Sequence, residues 1–297
     1  MQNLRNLTYG IVGLGLMGGS LAKAIRENIL GVPGASGSIV GFDINEASLA
    51  AARAEHVLDG VYTTSNVDEM LTRCDFVYIC LYPHATVDFL QKHKESFKSG
   101  AIISDISGVK SLIFDDLKSL VRPDIDYIPG HPMAGSEREG YAMSSGKVFK
   151  NHNYILMPLP TSKTEDVELF KALITELGFT RIVETDARVH DHKIAFTSQL
   201  CHVIASALVD SAEDTAVTAF GGGSFEDLTR IAMINAPLWT ELFLSNKKEL
   251  LSHIERFEQS LGKLKRFIEG GNATELESCL ELVRTKRESM SRIDIKA

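Results

Sequence analysis

Two hydrophobic periods divide this chain. Up to about residue 185, short apolar runs alternate with stretches whose apolar positions recur every three to four residues. The runs are Thr8 to Val12, Ser38 to Phe42, Asp75 to Leu81, Ala101 to Asp105, Ile125 to Ile128, Asn153 to Met157 and Thr180 to Glu184. Helical periodicity covers Ser20 to Asn28, Glu46 to Ala54, Val67 to Arg73, Ala85 to His93 and Thr164 to Leu177, with a further helix starting near Val109. Strands alternating with helices predict a doubly wound parallel sheet. The run at Asp75 is apolar almost throughout, as expected of a strand covered on both faces. Thr180 to Glu184 reads as an edge strand. Near Asp186 the alternation stops, and from Ala187 to Ala297 only the helical period remains, broken at Gly221-Gly222-Gly223. The pattern predicts an α/β domain over 1–185 and an all-α domain over 186–297. The surplus of apolar helix in the second, as in Leu250 to Ile268 and Thr274 to Met290, predicts pairing with a second subunit.

Composition narrows the class. The 297 residues are 44% hydrophobic and 24% charged, ordinary for a globular protein. A net charge of −8 argues against a general binder of nucleic acid or anionic membrane. There is no apolar run long enough to span a bilayer, and the first residues lack the apolar core of a signal peptide. Cys74, Cys80, Cys201 and Cys279 are scattered, which fits reduced thiols in the cytoplasm. His190 and His192 are two apart, so on a helix they diverge; no metal site is expected.

Candidate chemistry sits where the predicted strands end, since open α/β sheets bind ligands outside the carboxyl ends of their strands. Directly after the first run comes Gly13-Leu14-Gly15-Leu16-Met17-Gly18, followed by a helix. A G-x-G-x-x-G segment between strand and helix is a dinucleotide fingerprint of the Rossmann type. Gly13 permits the tight turn, Gly15 lets a pyrophosphate approach and Gly18 lets helix and strand pack closely. The helix N-terminus beyond, at Leu16 and Met17, offers free N–H groups to a phosphate. Asp43 ends the second strand, where a carboxylate can hold both ribose hydroxyls of NAD and repel the extra phosphate of NADP. Its alternative role is a helix cap, which Asn45 can also fill. Leu81, Tyr82 and Pro83, and then Asp105, close the third and fourth runs and are expected along the cofactor. His84 reads either as cleft lining or as an ordinary helix-start residue. Ser107 is either a rim hydroxyl or an N-cap.

The most informative segment is Ile128 to Glu137. His131 stands in a polar, turn-rich stretch after an apolar run, and Pro132 holds its backbone extended. An imidazole is the commonest general base at neutral pH, although such a residue can also simply bond its neighbours. In the helical half, Ser198, Gln199 and His202 can share one face of a helix running from Ile194 to Asp210. Arg230 lies amid apolar residues, where its fork can clamp a carboxylate or pair with Glu226.

Five motifs in order, GLGLMGGSLA at Gly13, SDISGVK at Ser104, GHPMAGSEREG at Gly130, TSQLCHVIASAL at Thr197 and FEDLTRIA at Phe225, resemble the prephenate dehydrogenase family nearly end to end. That family includes arogenate and cyclohexadienyl dehydrogenases. The resemblance implies that His131 bonds the substrate's ring hydroxyl and takes its proton. It implies that His202 lines the substrate pocket, that Arg230 binds a substrate carboxylate and that Glu137 lies near the entrance. Ser107 falls where the family usually has two serines; the second is Gly108 here. Cys201 stands where a proline is usual.

The implied reaction is NAD-dependent oxidative decarboxylation of prephenate to 4-hydroxyphenylpyruvate in tyrosine biosynthesis, by a homodimer joined through the C-terminal helices. Arogenate is the alternative substrate. A 3-hydroxyacid dehydrogenase shares the two-domain plan, but Lys193 here lacks that group's surrounding glycines. A regulator that senses NAD is the non-enzymatic rival. Too few residues precede Tyr9 for a chorismate mutase segment, and no regulatory module is expected after the bundle.

Overall fold

The computed structural model describes residues 3–114, 117–136 and 138–291. Two compact units divide the chain, Met1–Asn246 and Lys247–Ala297. The change of periodicity at Asp186 is therefore not where the contacts divide. The helices directly after Asp186 are hydrogen-bonded to the strand ends that carry the site.

In the first unit six strands form one parallel sheet: β1 (Thr8–Val12), β2 (Ser38–Phe42), β3 (Gly60–Tyr62), β4 (Phe76–Ile79), β5 (Ile102–Asp105) and β6 (Asp126–Tyr127). Their spatial order is β3-β2-β1-β4-β5-β6. The order reverses between β1 and β4, which is the switch point where such sheets bind ligands. β3 was not signalled by hydrophobicity, because it is a three-residue, half-exposed edge strand.

Alternate residues of the strands feed two separate cores. Tyr9, Ile11, Phe76, Tyr78 and Ile102 face one, where they meet α1 (Leu16–Ile25), α2 (Glu46–Ala54) and α7 (Thr164–Glu176). Val12, Val77, Ile79 and Ile103 face the other, with α3 (Val67–Leu71), α4 (Pro83–His93) and the short α5 (Ser111–Phe114) and α6 (Leu117–Leu120). This period-two split is what makes the strands apolar on both faces. Asn45 caps α2, its side chain accepting from the N–H groups of Ala47 and Ser48, and so leaves Asp43 for other work.

The expectation of a single sheet is corrected beyond β6. The chain leaves the parallel sheet at Ile128-Pro129, where proline has no N–H for a ladder. It then starts a second sheet of three strands, β7 (Gly130–Pro132), β8 (Asn153–Leu156) and β9 (Arg181–Glu184). β7 runs antiparallel to β8, and β8 runs parallel to β9. His131 is thus a strand residue paired with Ile155, not a loop residue. Gly130 is obligatory there, since a Cβ would lie 2.1 Å from the Tyr154 hydroxyl.

The helical part of this unit comprises α8 (Ala187–Ile194), α9 (Leu200–Asp210), α10 (Gly223–Thr229) and α11 (Ala236–Ser245). A π-helical segment, Ala195–Gln199, joins α8 to α9 and breaks the expected continuous helix. The second unit is a hairpin of α12 (Lys247–Glu269) and α13 (Ala273–Ser291), turning at Gly271 with φ +61°. Among the described residues, no helix is long and apolar enough to cross a membrane.

Phe170 on α7 ties the two sheets together. Its ring meets Phe76 at 4.9 Å, Tyr78 at 5.8 Å and Tyr154 at 5.7 Å between centroids, with no exposure. Phe170→Ala is expected to cost about 3–5 kcal/mol and to lower the melting temperature by about 6–20 °C. Calorimetry of the purified variant checks this, and a shift below about 2 °C would show that the ring cluster does not hold the sheets.

Candidate active site

The cofactor side of the site is built by a turn that only glycine permits. Gly13 has φ +91°, and a Cβ on it would lie 2.7 Å from the Cys80 carbonyl. A Cβ on Gly18 would lie 1.9 Å from the Gly13 carbonyl. Gly15 differs, because a Cβ there meets nothing within 4 Å. That emptiness is the room a pyrophosphate needs. Gly15 also caps α1 with no side-chain hydrogen bond, and the first turn holds no acidic residue. The N–H groups of α1 are left for an anion. Asp43 closes the turn from the β2 side. Its oxygens accept the Leu14 N–H at 2.5 Å and the Asn45 N–H at 2.7 Å.

A cavity of about 650 Å³ opens beside this turn. Gly15, Leu16, Met17 and Gly18 line one wall, with Leu81, Tyr82 and Pro83 beside them. His131, Ser107 and Gly108 line the strand ends, and Ser198, Gln199, His202 and Arg230 line the helical wall. Sequence segments far apart therefore converge on one cleft of small-molecule size. His84 is not among the lining; its N–H donates to Glu241 at the start of α4. Glu137 lies outside the described residues.

Two expected site residues have other duties. Asp105 was expected along the cofactor, but it is fully buried and off the cavity wall. Its Oδ2 accepts the Ser107 N–H at 2.9 Å and the Lys110 ammonium at 2.5 Å, and its Oδ1 accepts the Tyr127 hydroxyl at 2.7 Å. Gln199 touches the cavity, yet its amide is committed: it donates to the Leu242 carbonyl and accepts from Asn246, each at 2.9 Å. Ser107 does not cap a helix, since its hydroxyl is buried with no partner. Gly108 would accept a Cβ at ordinary contact, 3.4 Å from Leu242 and 3.8 Å from the His131 ring. The missing second serine hydroxyl is thus a sequence choice and not a steric necessity.

His131 is the chemical centre. Its Nδ1 lies 2.9 Å from Nε2 of His190, whose Nδ1 lies 2.8 Å from Oδ1 of Asp191. Burial, then His190 and Lys110, push the His131 imidazole well below its ordinary value. It is therefore neutral at neutral pH, with one ring nitrogen left to accept a proton. Across the cleft, the His202 ring lies against Trp239, tilted by 39° at 3.6 Å between centroids, and its Nδ1 lies 2.8 Å from the Ile231 carbonyl. Arg230, on the turn before α11, adds a guanidinium to the same wall. Sequence reasoning missed Lys110, His190, Asp191 and Trp239. The only signal was that Lys110 ends the SDISGVK motif.

A six-stranded sheet in this order, a glycine turn opening onto a helix N-terminus and a neutral histidine in the adjoining cleft define a dinucleotide-binding oxidoreductase. Family models agree in both halves. Residues 21–183 match the nucleotide-binding domain of prephenate dehydrogenase, and residues 186–282 match its dimerization domain. The chain belongs to the prephenate dehydrogenase family. It is 30% identical to a cyclohexadienyl dehydrogenase of Zymomonas mobilis, over 87% of each chain. It is 28% identical to a prephenate dehydrogenase of Bacillus subtilis, over 95% of this chain and 76% of that one. The prephenate dehydrogenase of A. aeolicus, solved with hydroxyphenyl propionate and NAD+, superposes with a TM-score of 0.84 at 30% identity, covering 96% and 98% of the two chains.

Burial lowers the pKa of both His131 and His190, whereas in the unfolded chain both titrate near 6.5. Below that pH the unfolded state binds protons that the folded state refuses. Stability is therefore complete above about pH 6.5 and falls as pH drops toward the folded values, by up to about 1.4 kcal/mol per pH unit for each group. Urea midpoints measured from pH 8 to pH 5 test this. His131→Asn is expected to flatten the slope, and a wild-type profile already flat across that window would contradict it.

Proposed function

We propose that the protein oxidises and decarboxylates prephenate to 4-hydroxyphenylpyruvate with NAD+, using His131 as the general base. The observation that carries this reading is a neutral, half-buried histidine on the wall of a cleft that also holds an open helix N-terminus and a guanidinium. The chain's own residues fit the cofactor. Gly15 leaves space at the pyrophosphate position, α1 offers uncapped N–H groups, and Asp43 directly follows β2 with no arginine close behind it in sequence. NAD+ supplies the hydride acceptor when bound.

In this reading His131 takes the proton of the ring hydroxyl, and Ser107 supplies a hydroxyl to orient the reacting groups. Arg230 holds a substrate carboxylate on the helical wall, and His202 lines the pocket beside it. The ring carboxylate leaves as carbon dioxide and the ring becomes aromatic, so the step runs strongly downhill. The protein's task is then mainly to position the reactants, supply one base and neutralise charge.

We further read residues 1–185 as the nucleotide-binding part and 186–297 as the part that supplies substrate contacts and pairs two subunits. Exposed apolar residues of the helical hairpin, among them Leu261, Ile268, Leu282 and Val283, support a homodimer. Four free cysteines support a cytoplasmic setting.

Purified protein with NAD+ and prephenate is expected to form NADH, and with NADP+ much less. Faster turnover of arogenate than of prephenate would keep the chemistry and reassign the substrate. His131→Asn is expected to lower kcat by about 10²–10⁴-fold with the Michaelis constant little changed. Arg230→Gln is expected to raise the Michaelis constant for substrate by roughly 10–100-fold, the loss of one charge-assisted pair. Unchanged turnover in the first variant would remove the base assignment, and an unchanged constant in the second would remove the clamp.

A further inference from the structure

A neutral imidazole can accept a proton at only one nitrogen, because the other already carries one. Around His131 that choice is made by a string of buried partners. Asp191 is 3% exposed. Its Oδ1 accepts the Lys110 N–H at 2.9 Å and its Oδ2 accepts the Ser111 N–H at 2.8 Å. Burial works to raise its carboxyl, but hydrogen bonds from His190 and these two amides outweigh it and keep the group ionised. An ionised carboxylate only accepts, so its 2.8 Å contact with His190 requires the proton to be on His190 Nδ1. His190 is 1% exposed, and burial holds it neutral. Its Nε2 therefore carries a lone pair. The 2.9 Å contact between that lone pair and His131 Nδ1 then requires a proton on His131 Nδ1. His131 Nε2 is left unprotonated.

We propose that His190 and Asp191 are positioning residues that fix His131 in the tautomer whose Nε2 is the base, with Lys110 holding both ends of the string. Lys110 reaches Asp191 through its backbone N–H, and through Nζ it donates to the carbonyl of Gly130, the residue before His131, at 2.7 Å. When an N–H bond forms at His131 Nε2 as the substrate's O–H bond breaks, the Nδ1–H···His190 bond becomes charge-assisted and strengthens. The charged and titratable groups around His131 come from several elements: Asp105 on β5, Lys110 before α5, His190 and Asp191 on α8, and His202 and Arg230 across the cleft. The cations oppose its protonation and the carboxylates favour it, and Asp191 is the anion linked to it through His190.

The inference rests on the assignment of His131 as base, yet its first test does not depend on activity. Nitrogen NMR of the wild-type protein labelled at histidine, at neutral pH, reads the tautomer directly. The His131 signals are identified by their loss in His131→Asn. A protonated Nδ1 with an unprotonated Nε2 is expected, and the reverse overturns the proposal. The second test is Asp191→Asn. Its kcat is expected to fall by about 10²–10⁴-fold, with the Michaelis constants within about threefold of wild type. The acid limb of its kcat/KM profile should move to lower pH, because the variant lacks the anion that favours imidazolium. A variant that keeps wild-type kcat and pH limb, and loses only melting temperature, reduces Asp191 to a helix cap and overturns the proposal. Full activity in His131→Asn would instead remove the base assignment, and the tautomer measurement would still stand on its own.

Discussion

An ammonium with no exposure sits under the active site and sets the positions of what surrounds it. Transferring such a charge out of water costs several kcal/mol unless it is paired and hydrogen-bonded. Lys110 meets this demand with the Asp105 carboxylate and the Gly130 carbonyl. Asp105 in turn accepts from Tyr127 on β6 and from the Ser107 amide. One ion pair therefore fixes the ends of β5 and β6, the start of β7 and the loop that carries Ser107. Burial pushes the Lys110 pKa down and the adjacent carboxylate works against that. Leaving Asp105 without its partner would cost about 3–5 kcal/mol, enough to disturb every residue that depends on it.

The two halves of the cleft solve opposite problems. The cofactor wall must keep backbone polar groups uncovered, so it uses glycines and a helix with no side-chain cap. The helical wall must keep long polar side chains still, so it satisfies their other ends. His202 is held by a carbonyl and an indole ring. Gln199 and Asn246 bond each other and the backbone, and Asn246 also donates to the Asp191 carbonyl. The π-helical segment at Ala195–Gln199 lies in this wall, as such irregularities often lie at functional sites. Preorganisation of this kind matters more here than chemical power, since an aromatising reaction needs positioning, one base and compensation of carboxylate charge.

The two departures from the family's motifs are also accounted for locally. Gly108 leaves Ser107 as the hydroxyl beside His131, and that hydroxyl has no protein partner. Cys201 replaces a residue without an N–H by one that has it. Its thiol rests 3.6 Å from the Thr197 carbonyl, within the same stretch of helix, and its side chain is not among those lining the cavity.

Local signals carried much of this protein. Period-two and period-3.6 patterns mark five of the six strands of the main sheet, and the glycine spacing marks the cofactor turn, because each reflects the geometry of a few neighbouring residues. His131, Ser107, His202 and Arg230 were legible as polar residues in otherwise apolar or turn-rich settings, though not as one cleft. Tertiary structure decided the rest. The split into two sheets depends on where Gly130 can approach Tyr154. The burial of Asp105 depends on a lysine five residues away and a tyrosine from another strand. His190 and Asp191 reach His131 only because α8 packs against β7 and the start of α5. Such contacts join residues tens of positions apart, whose energies depend on burial and on distances of about 3 Å, quantities that a linear pattern of residues does not contain.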